Sequence, residues 1–212
     1  MELSTQLRQA SHDLHGVAER SELMASLMRG KLSRHEYTLW LLNLQAIYVA
    51  LESGLARAAA LAGMDFTPLY RTGAISNDMA YLMPTADMEL CEATRRYVAH
   101  LNELSASNSL LLLAHAYVRY LGDLHGGQLL RRCVARVLQV DGPQGLDFYD
   151  FGTPERVAEL IQTFRDGINV LTLEAPQAEA LAQEARLGFT LHIELFQQLS
   201  PAEAALKGQS VA

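Results

Sequence analysis

The sequence RYLGDLHGGQ at residues 119–128 decides the fold prediction, because it places three glycines inside a pattern that is otherwise helical. Apolar residues keep helical spacing on both sides of it, from about residue 108 to residue 140. Each glycine inside a helix costs roughly 1 kcal/mol relative to alanine, so the three need a compensating reason. Gly122 and Gly126 share one face, beside Asp123. We therefore expect a bent helix with an open face that lets a flat or bulky group approach the backbone.

The rest of the chain also has helical periodicity and no useful strand alternation. Ser4 is a candidate cap for a first helix, Thr85 for a later one, and a capping-box pattern stands at residues 33–36. Residues 65–84 are broken by prolines and a glycine, which predicts a loop with short helical turns. Further helices are predicted at about residues 21–30, 33–63, 154–173 and 177–199. The sequence thus predicts an all-α domain of about seven helices at residues 1–200, followed by a frayed C-terminal tail at 201–212.

Composition narrows the function classes. The 212 residues carry a net charge of −7, which argues against a general nucleic-acid binder. The N-terminus lacks a signal-peptide pattern, and no apolar run approaches the ~18 residues of a membrane span, so we expect a cytoplasmic protein without a membrane anchor. Cys91 and Cys133 are far apart and form no CxxC or CxxCH, which predicts two free thiols and no covalently attached haem. Walker A, HExxH and GxSxG motifs are also absent from the sequence.

Two groups of polar residues on the predicted helices are candidates for chemistry. His15 has Glu19 one turn later, a spacing that lets a carboxylate orient a metal-bound imidazole, although a surface pair is the more common explanation of this spacing by itself. His12 and His15 lack the carboxylate cluster that a two-histidine metal site needs. The second group consists of polar tips on apolar helical surfaces, which form a buried network if they converge. Its members are Tyr48, Tyr97, Arg119, Tyr120, Asp123 and His192.

Taken together and in order, several segments resemble the heme oxygenase family. They are DLHGVAE at 13–19, IYVALE at 47–52, RYV at 96–98 and, above all, AHAYVRYLGDLHGGQ at 114–128. The similarity continues through residues 164–165 and 189–199, so that it covers nearly all of residues 3–199. The resemblance implies a heme oxygenase-like fold with haem between a proximal N-terminal helix and a kinked, glycine-rich distal helix.

The resemblance also implies roles for individual residues. The proximal iron ligand matches His15 and its neighbour Glu19, and the distal acid that orders water matches Asp123. The remaining catalytic network matches Arg119, Tyr48, Tyr97 and His192, and the haem-binding positions match Arg8, Tyr117, Gly122, Gly126, Gly127 and Arg165. In the family haem b is both cofactor and substrate, and O₂ with external electrons converts it to biliverdin, CO and ferrous iron. A ferredoxin or a flavin reductase is the implied electron donor, and a biliverdin acceptor is a further implied partner.

Three positions depart from the pattern of the mammalian members. A serine in the glycine block is His125, a lysine one turn before Arg165 is Ile161, and an asparagine in the last helix is His192. The first two are expected to affect how the haem propionates are held, and the third changes one corner of the polar network. We expect a soluble, bacterial-type member that makes the α isomer of biliverdin.

Three other hypotheses remain beside the enzyme. A haem carrier or sensor needs His15 and a pocket but no distal acid network. An all-α enzyme with other chemistry, such as a thiaminase-like or cofactorless oxidase domain, needs neither His15 nor the glycine block. A helical interaction module explains neither feature.

Overall fold

The computed structural model describes residues 1–200. This range contains eight α-helices and four single-turn 3-10 helices, joined by loops. The α-helices are α1 (Leu3–Glu19), α2 (Glu22–Met28), α3 (Arg34–Leu55), α4 (Thr72–Leu82), α5 (Glu92–Ser107), α6 (Leu112–Leu138), α7 (Pro154–Asn169) and α8 (Ala175–Gln198). The single turns are Ala59–Leu61, Thr67–Leu69, Ser109–Leu111 and Asp147–Tyr149. This range contains no strand, so the predicted all-α class is confirmed. The tail expected at 201–212 lies outside the described residues.

Two helices begin where local capping signals predicted. Ser33 Oγ accepts a hydrogen bond from the Glu36 amide at 3.1 Å, and the Glu36 carboxylate accepts one from the Ser33 amide at 2.6 Å. At the start of α7, Thr153 Oγ1 accepts from the Arg156 amide at 3.3 Å, with Pro154 at the first helical position. These helix starts depend on residues within one turn, which is why the sequence reveals them.

The prediction of a loop with short helical turns at residues 65–84 was wrong in one respect, since the segment contains the eleven-residue helix α4. The cap of this helix comes from a distant residue. The carboxylate of Glu52, on α3, accepts hydrogen bonds from the amides of Arg71 at 2.5 Å and Thr72 at 3.2 Å. A negative charge at a helix N-terminus stabilises the first turn. The total is therefore eight α-helices within residues 1–200 rather than about seven.

The predicted cap at Thr85 was also wrong, because α5 begins only after Cys91. Side chains from other helices bind its first amides. Asn43 Oδ1 on α3 accepts from the Cys91 amide at 2.9 Å, and Gln198 Oε1 on α8 accepts from the Ala93 amide at 2.9 Å. Helix α5 is thus held at its start by tertiary contacts with two other helices.

Ser4 does not cap α1, because the helix already begins at Leu3 and no side-chain cap is present. The Ser4 amide instead donates to Asn169 Oδ1 on α7 at 3.0 Å. The predicted helix at residues 33–63 ends at Leu55, and one 3-10 turn follows it. Helix boundaries are therefore where the sequence prediction was least accurate.

Helix α6 packs between α3 and α8, α5 packs on α3, and α1 lies against α8. One hydrophobic core joins these helices. Helices α1 and α6 each pack on α8, and this arrangement brings the predicted proximal and distal residues to a common cavity. Within residues 1–200, no helix is both long and apolar enough to cross a bilayer.

Candidate functional site

A cavity of about 820 Å³ is lined by residues of α1, α2, α3, α6, α7 and α8 and of the 3-10 turn at Asp147–Tyr149. This volume lies in the upper part of the range for ligand and cofactor sites. The apolar part of its lining includes Met24, Trp40, Leu121, Leu129, Phe189 and Phe196. A large and mainly apolar ligand fits such a cavity.

His15 on α1 lines this cavity and is solvent-accessible. Its ring packs edge-on against Phe189 of α8, with ring centroids 5.8 Å apart and an interplanar angle of 76°. Glu19 Oε2 lies 3.6 Å from His15 Nδ1, which is close enough for an ion pair but too long for a hydrogen bond. Both residues of the predicted pair thus line the cavity, and Glu19 is near the imidazole without being bonded to it.

The glycines of α6 have different surroundings, although the helix is continuous through all of them. A Cβ atom added at Gly122 would meet no heavy atom within 4 Å, and one at Gly126 would meet only the Leu130 side chain, at 3.5 Å. Both glycines line the cavity. Gly127 is buried and does not line it, and its added Cβ would lie 3.5 Å from the Tyr149 carbonyl oxygen. Gly122 and Gly126 therefore open the cavity wall, whereas Gly127 allows close packing behind it.

Asp123 follows the open glycine and is held in a buried polar network. Tyr48 donates a hydrogen bond to Asp123 Oδ2, and Arg119 Nη2 donates to Asp123 Oδ1 at 3.1 Å. Arg119 also donates to the Tyr48 hydroxyl from Nε at 3.1 Å and from Nη2 at 2.8 Å. His192 Nε2 lies 2.7 Å from Arg119 Nη1. The network thus fixes the Asp123 carboxylate at the cavity wall from behind.

Burial governs the protonation of this network. It raises the pKa of Asp123, while the charge of Arg119 and the hydrogen bond from Tyr48 partly offset the increase. Burial also raises the pKa of the Tyr48 hydroxyl well above 10.0. For His192, burial and then the charge of Arg119 lower the pKa well below 6.5, so the imidazole is neutral at pH 7. Since Arg119 can only donate, His192 Nε2 accepts its hydrogen bond and Nδ1 carries the proton.

Tyr97, which the sequence grouped with Asp123, makes its hydrogen bond elsewhere. Its hydroxyl lies 3.0 Å from His115 Nδ1, and it does not line the cavity. Burial raises its pKa, and the nearby charge of Arg119 opposes the shift. Tyr97 is therefore electrostatically close to the network around Asp123 but is not bonded to it. Tyr120 does not bond to the network either, and its buried hydroxyl has no hydrogen-bond partner among residues 1–200.

Cationic residues line another part of the cavity. Arg8 of α1 and Arg165 of α7 both do so, and so does Tyr117 of α6. Burial raises the pKa of Tyr117, and the charges of Arg165 and Arg8 partly offset this increase. Two cations beside a phenol suit the binding of carboxylates.

The histidine and isoleucine that depart from the mammalian pattern differ in their placement. His125 lines the cavity, and its Nδ1–H donates to the Leu121 carbonyl oxygen at 2.6 Å. Its Nε2 therefore accepts from Arg165 Nη2, at 3.3 Å. Ile161 is half-buried and packs against the hydrophobic core. His125 thus contacts a cation of the site directly, whereas Ile161 contributes to packing.

Sequence reasoning missed part of the cavity wall. Met24 and Met28 of α2 line it, as do Phe148 and Tyr149 of the 3-10 turn. Asp78 of α4 fixes that turn by accepting hydrogen bonds from the amides of Asp147 at 2.9 Å and Phe148 at 2.8 Å. Methionines four residues apart are a signal for one helical face, but nothing local indicates that a distant aspartate holds the aromatic turn.

Comparison with known protein families agrees with this geometry. The family model described as Heme oxygenase matches residues 1–198. The chain belongs to the heme oxygenase family. Heme oxygenase 1 of Bos taurus is 33% identical over 93% of this chain and 71% of its own length. The heme oxygenase of Guillardia theta is 30% identical over 93% of this chain and 86% of its own length.

Solved structures show the same fold. The heme oxygenase of Leptospira interrogans superposes with a TM-score of 0.87 at 31% identity, covering 93% of this chain and all of that one. Heme oxygenase-2 of Synechocystis, solved in complex with heme and NO, gives 0.89 at 29% identity, covering 100% of this chain and 90% of that one. A TenA homologue from P. horikoshii gives 0.60 at 13% identity, which is a likeness of fold alone.

The residues present fit a haem group. Gly122 presents open space to the cavity, so a flat ring can approach the α6 backbone there. Large apolar side chains surround that space, and an accessible imidazole stands on α1. Arg8 and Arg165 line the same cavity and are cations of the kind that would bind two propionates. The cavity thus has apolar side chains that match the ring, an imidazole that matches the iron and two cations that match the propionate carboxylates.

Proposed function

We propose that this heme oxygenase cleaves haem b with O₂ and external electrons to biliverdin, CO and ferrous iron. The observation that carries the proposal is the Asp123 carboxylate, which Tyr48 and Arg119 hold at the wall of a haem-sized cavity. A site that only binds haem needs an iron ligand and an apolar pocket. A buried acid held by two donors beside an open glycine is costly, and it is explained by proton chemistry at that point.

His15 and the cationic residues would bind and orient the haem, which, when bound, supplies the redox iron and the ring that is cleaved. His15 would be the axial ligand, with Glu19 near its Nδ1 to favour one ring orientation. Arg8, Arg165 and Tyr117 would receive the propionates and so determine how the ring is rotated in the cavity. The absence of a side chain at Gly122 leaves space for the ring beside α6. A ring bound there would exclude bulk water from this wall of the cavity.

Asp123 would act through water at the open face of α6. Its two oxygens already accept from Tyr48 and Arg119, and each carboxylate oxygen has a second acceptor site. A water molecule that donates to this second site would lie beside Gly122, where it would pass a proton into the cavity. His192 fixes Arg119, and Arg119 in turn fixes both Tyr48 and Asp123. We assign positioning roles to Tyr48, Arg119 and His192, and to Tyr97 an indirect role through His115.

The reaction requires partners that follow from its chemistry. O₂ is a co-substrate, and a ferredoxin or a flavin reductase would supply electrons. A biliverdin acceptor would receive the product. We propose that the reaction takes place in the cytoplasm, which suits the free thiols of Cys91 and Cys133. We further propose a single enzymatic domain over residues 1–200.

Turnover of the haem-loaded protein tests this function. With ferredoxin, its reductase and O₂, the Soret band of the bound haem should disappear. Biliverdin, followed by its absorbance, and CO should form in equal molar amounts. His15→Ala should abolish the imidazole-ligated haem spectrum and nearly all turnover. His12→Ala is the matched control, because His12 lies one turn earlier on the same cavity. A haem carrier would keep its Soret band under these conditions, and loss of ligation in His12→Ala alone would overturn the assignment of His15.

A further inference from the structure

A second group of metal-ligating side chains lies outside the haem cavity, where α5, α6 and α8 meet. Glu184 Oε1 on α8 lies 2.6 Å from His100 Nε2 on α5 and 2.8 Å from His115 Nε2 on α6. Potential ligand atoms of the three side chains all lie within 4.8 Å of one another. None of the three residues lines the haem cavity. His115 also precedes Asp123 by eight residues, or roughly 12 Å along the helix axis.

The burial of the three side chains forms a path from solvent to an enclosed site. The side chain of His115 is 0% exposed, that of Glu184 10% and that of His100 24%. His100 therefore stands at the solvent side of the group, and an ion can reach the two inner ligands past it. The inner ligands are held by helices that pack together in the core.

Burial and hydrogen bonds shift the pKa values of His115 and Glu184. Burial lowers the pKa of His115, so the imidazole is neutral at pH 7. Burial opposes ionisation of Glu184, but hydrogen bonds from His115 and His100 outweigh it and lower the pKa of that carboxyl. Metal ions bind imidazole and ionised carboxylate, which are the ligand types that this group offers.

A partner on the far side of the His115 ring can orient it. The Tyr97 hydroxyl lies 3.0 Å from His115 Nδ1. Without a metal, His115 Nε2–H donates to the Glu184 carboxylate; with a metal on Nε2, the ring proton would sit on Nδ1 and donate to the Tyr97 hydroxyl. Metal-binding histidines are commonly oriented by such a bond from the other ring nitrogen. Gly188 makes room for the ring, because a Cβ added there would lie 3.1 Å from His115 Nδ1. The position of the imidazole is thus fixed from two sides.

We propose that His100 Nε2, His115 Nε2 and Glu184 Oε1 bind one divalent transition-metal ion of the zinc type. Two imidazoles and one carboxylate form a ligand set that zinc accepts with water in the fourth position. With bonds of 2.0–2.1 Å, tetrahedral ligands stand roughly 3.3 Å apart, so His100 Nε2 would move away from Glu184 Oε1 by about 0.7 Å and His115 Nε2 by about 0.5 Å. Water can reach the fourth coordination position from the solvent side of the group, where His100 is partly exposed. The ion would connect three helices at a point separate from the haem.

Calorimetric titration of the intact protein with Zn²⁺ at pH 7 tests the proposal. We expect one ion per chain, with affinity at least tenfold lower in His100→Ala and in Glu184→Gln. Both variants should fold, because His100 is partly exposed and glutamine has nearly the same shape as Glu184. His35→Ala, at an exposed position on α3, is the matched control and should bind as the wild type does. Helical content measured by circular dichroism confirms that each variant is folded.

Thermal unfolding supplies a second readout. Zn²⁺ at a hundred times the wild-type Kd should raise the Tm of the wild type and His35→Ala by about 5–10 °C, and that of each cluster variant by no more than about half as much. Millimolar Mg²⁺ should not displace Zn²⁺, because Mg²⁺ prefers oxygen ligands. Absence of Zn²⁺ binding, or equal affinity in all variants, would overturn the proposal. Loss of binding in a His12→Ala, His15→Ala double variant alone would do so too, by placing the ion on α1.

Discussion

Tyr48 and Tyr37 form a matched pair on α3 that isolates the energy of the Asp123 network. Both rings are fully buried. The Tyr48 hydroxyl accepts from Arg119 at 2.8 and 3.1 Å and donates to Asp123, whereas the Tyr37 hydroxyl has no hydrogen-bond partner among the described residues. Phenylalanine at either position removes one oxygen and leaves the ring. The difference between the two variants therefore reports the hydrogen bonds alone.

The expected magnitude follows from the partners. Hydrogen bonds to charged groups contribute about 1.5–3 kcal/mol each, but bonds that share one hydroxyl are not additive. We expect Tyr48→Phe to lower the free energy of unfolding by about 3 kcal/mol, which is roughly 6–12 °C in Tm for a chain of this length. Tyr37→Phe removes a buried hydroxyl without a partner, so it should be neutral or stabilise by up to about 1 kcal/mol.

Urea unfolding followed by circular dichroism measures both variants, with thermal scans as a check. Equal losses of stability in the two variants would refute the reasoning, because the network would then contribute nothing beyond an ordinary buried hydroxyl. A loss in Tyr37→Phe alone would show that Tyr37 has a partner, such as a buried water molecule.

Three further predictions concern other parts of the site. Burial and the charge of Arg119 hold the pKa of His192 well below 6.5 in the folded protein. As the pH falls, His192 is therefore protonated in the unfolded chain but not in the folded one. It should lower the free energy of unfolding by about 2 kcal/mol between pH 6.5 and pH 5. His192→Asn should remove that part of the acid sensitivity in urea unfolding at the two pH values, and identical pH dependence would count against it. Asp78→Asn should cost about 1–3 kcal/mol in the same assay, since an amide cannot accept with both atoms from the amides it now binds, and a cost below about 0.5 kcal/mol would contradict this. The wild type should make α-biliverdin, and His125→Ser combined with Ile161→Lys should shift the isomer ratio on chromatography. An unchanged ratio would show that these two positions do not determine how the ring is seated.

The parts of the fold that sequence predicted well are those with local causes. The capping box at Ser33 and the proline at the start of α7 lie within one turn of the helix ends that they define. The apolar stripes likewise gave the all-α class. By contrast, α4 begins where Glu52 of another helix binds its first amides, and α5 begins where Asn43 and Gln198 do the same. Side chains this distant in sequence leave no local pattern.

The candidate site also combines features that the sequence predicted with contacts that depend on distant residues. The resemblance to heme oxygenases placed His15, Gly122 and Asp123 on one cavity, and the structure brings them there. Tyr97 looked like a member of the Asp123 network because it is a polar tip on an apolar helix, but its hydroxyl reaches His115 instead. Periodicity shows which face a side chain occupies. Which of two buried partners it meets depends on how the helices cross.

The biliverdin rate of Asp123→Ala, measured per bound haem with reductase and O₂, tests the central claim most directly. A haem titration of the same variant serves as its control, because Asp123 is not expected to ligate iron or propionates. The account predicts a haem Kd close to that of the wild type and a biliverdin rate about a hundredfold lower, with Asp123→Asn between the two because an amide can still hold water. Biliverdin formation at the wild-type rate in Asp123→Ala would contradict it, and the network around Asp123 would then be structural only.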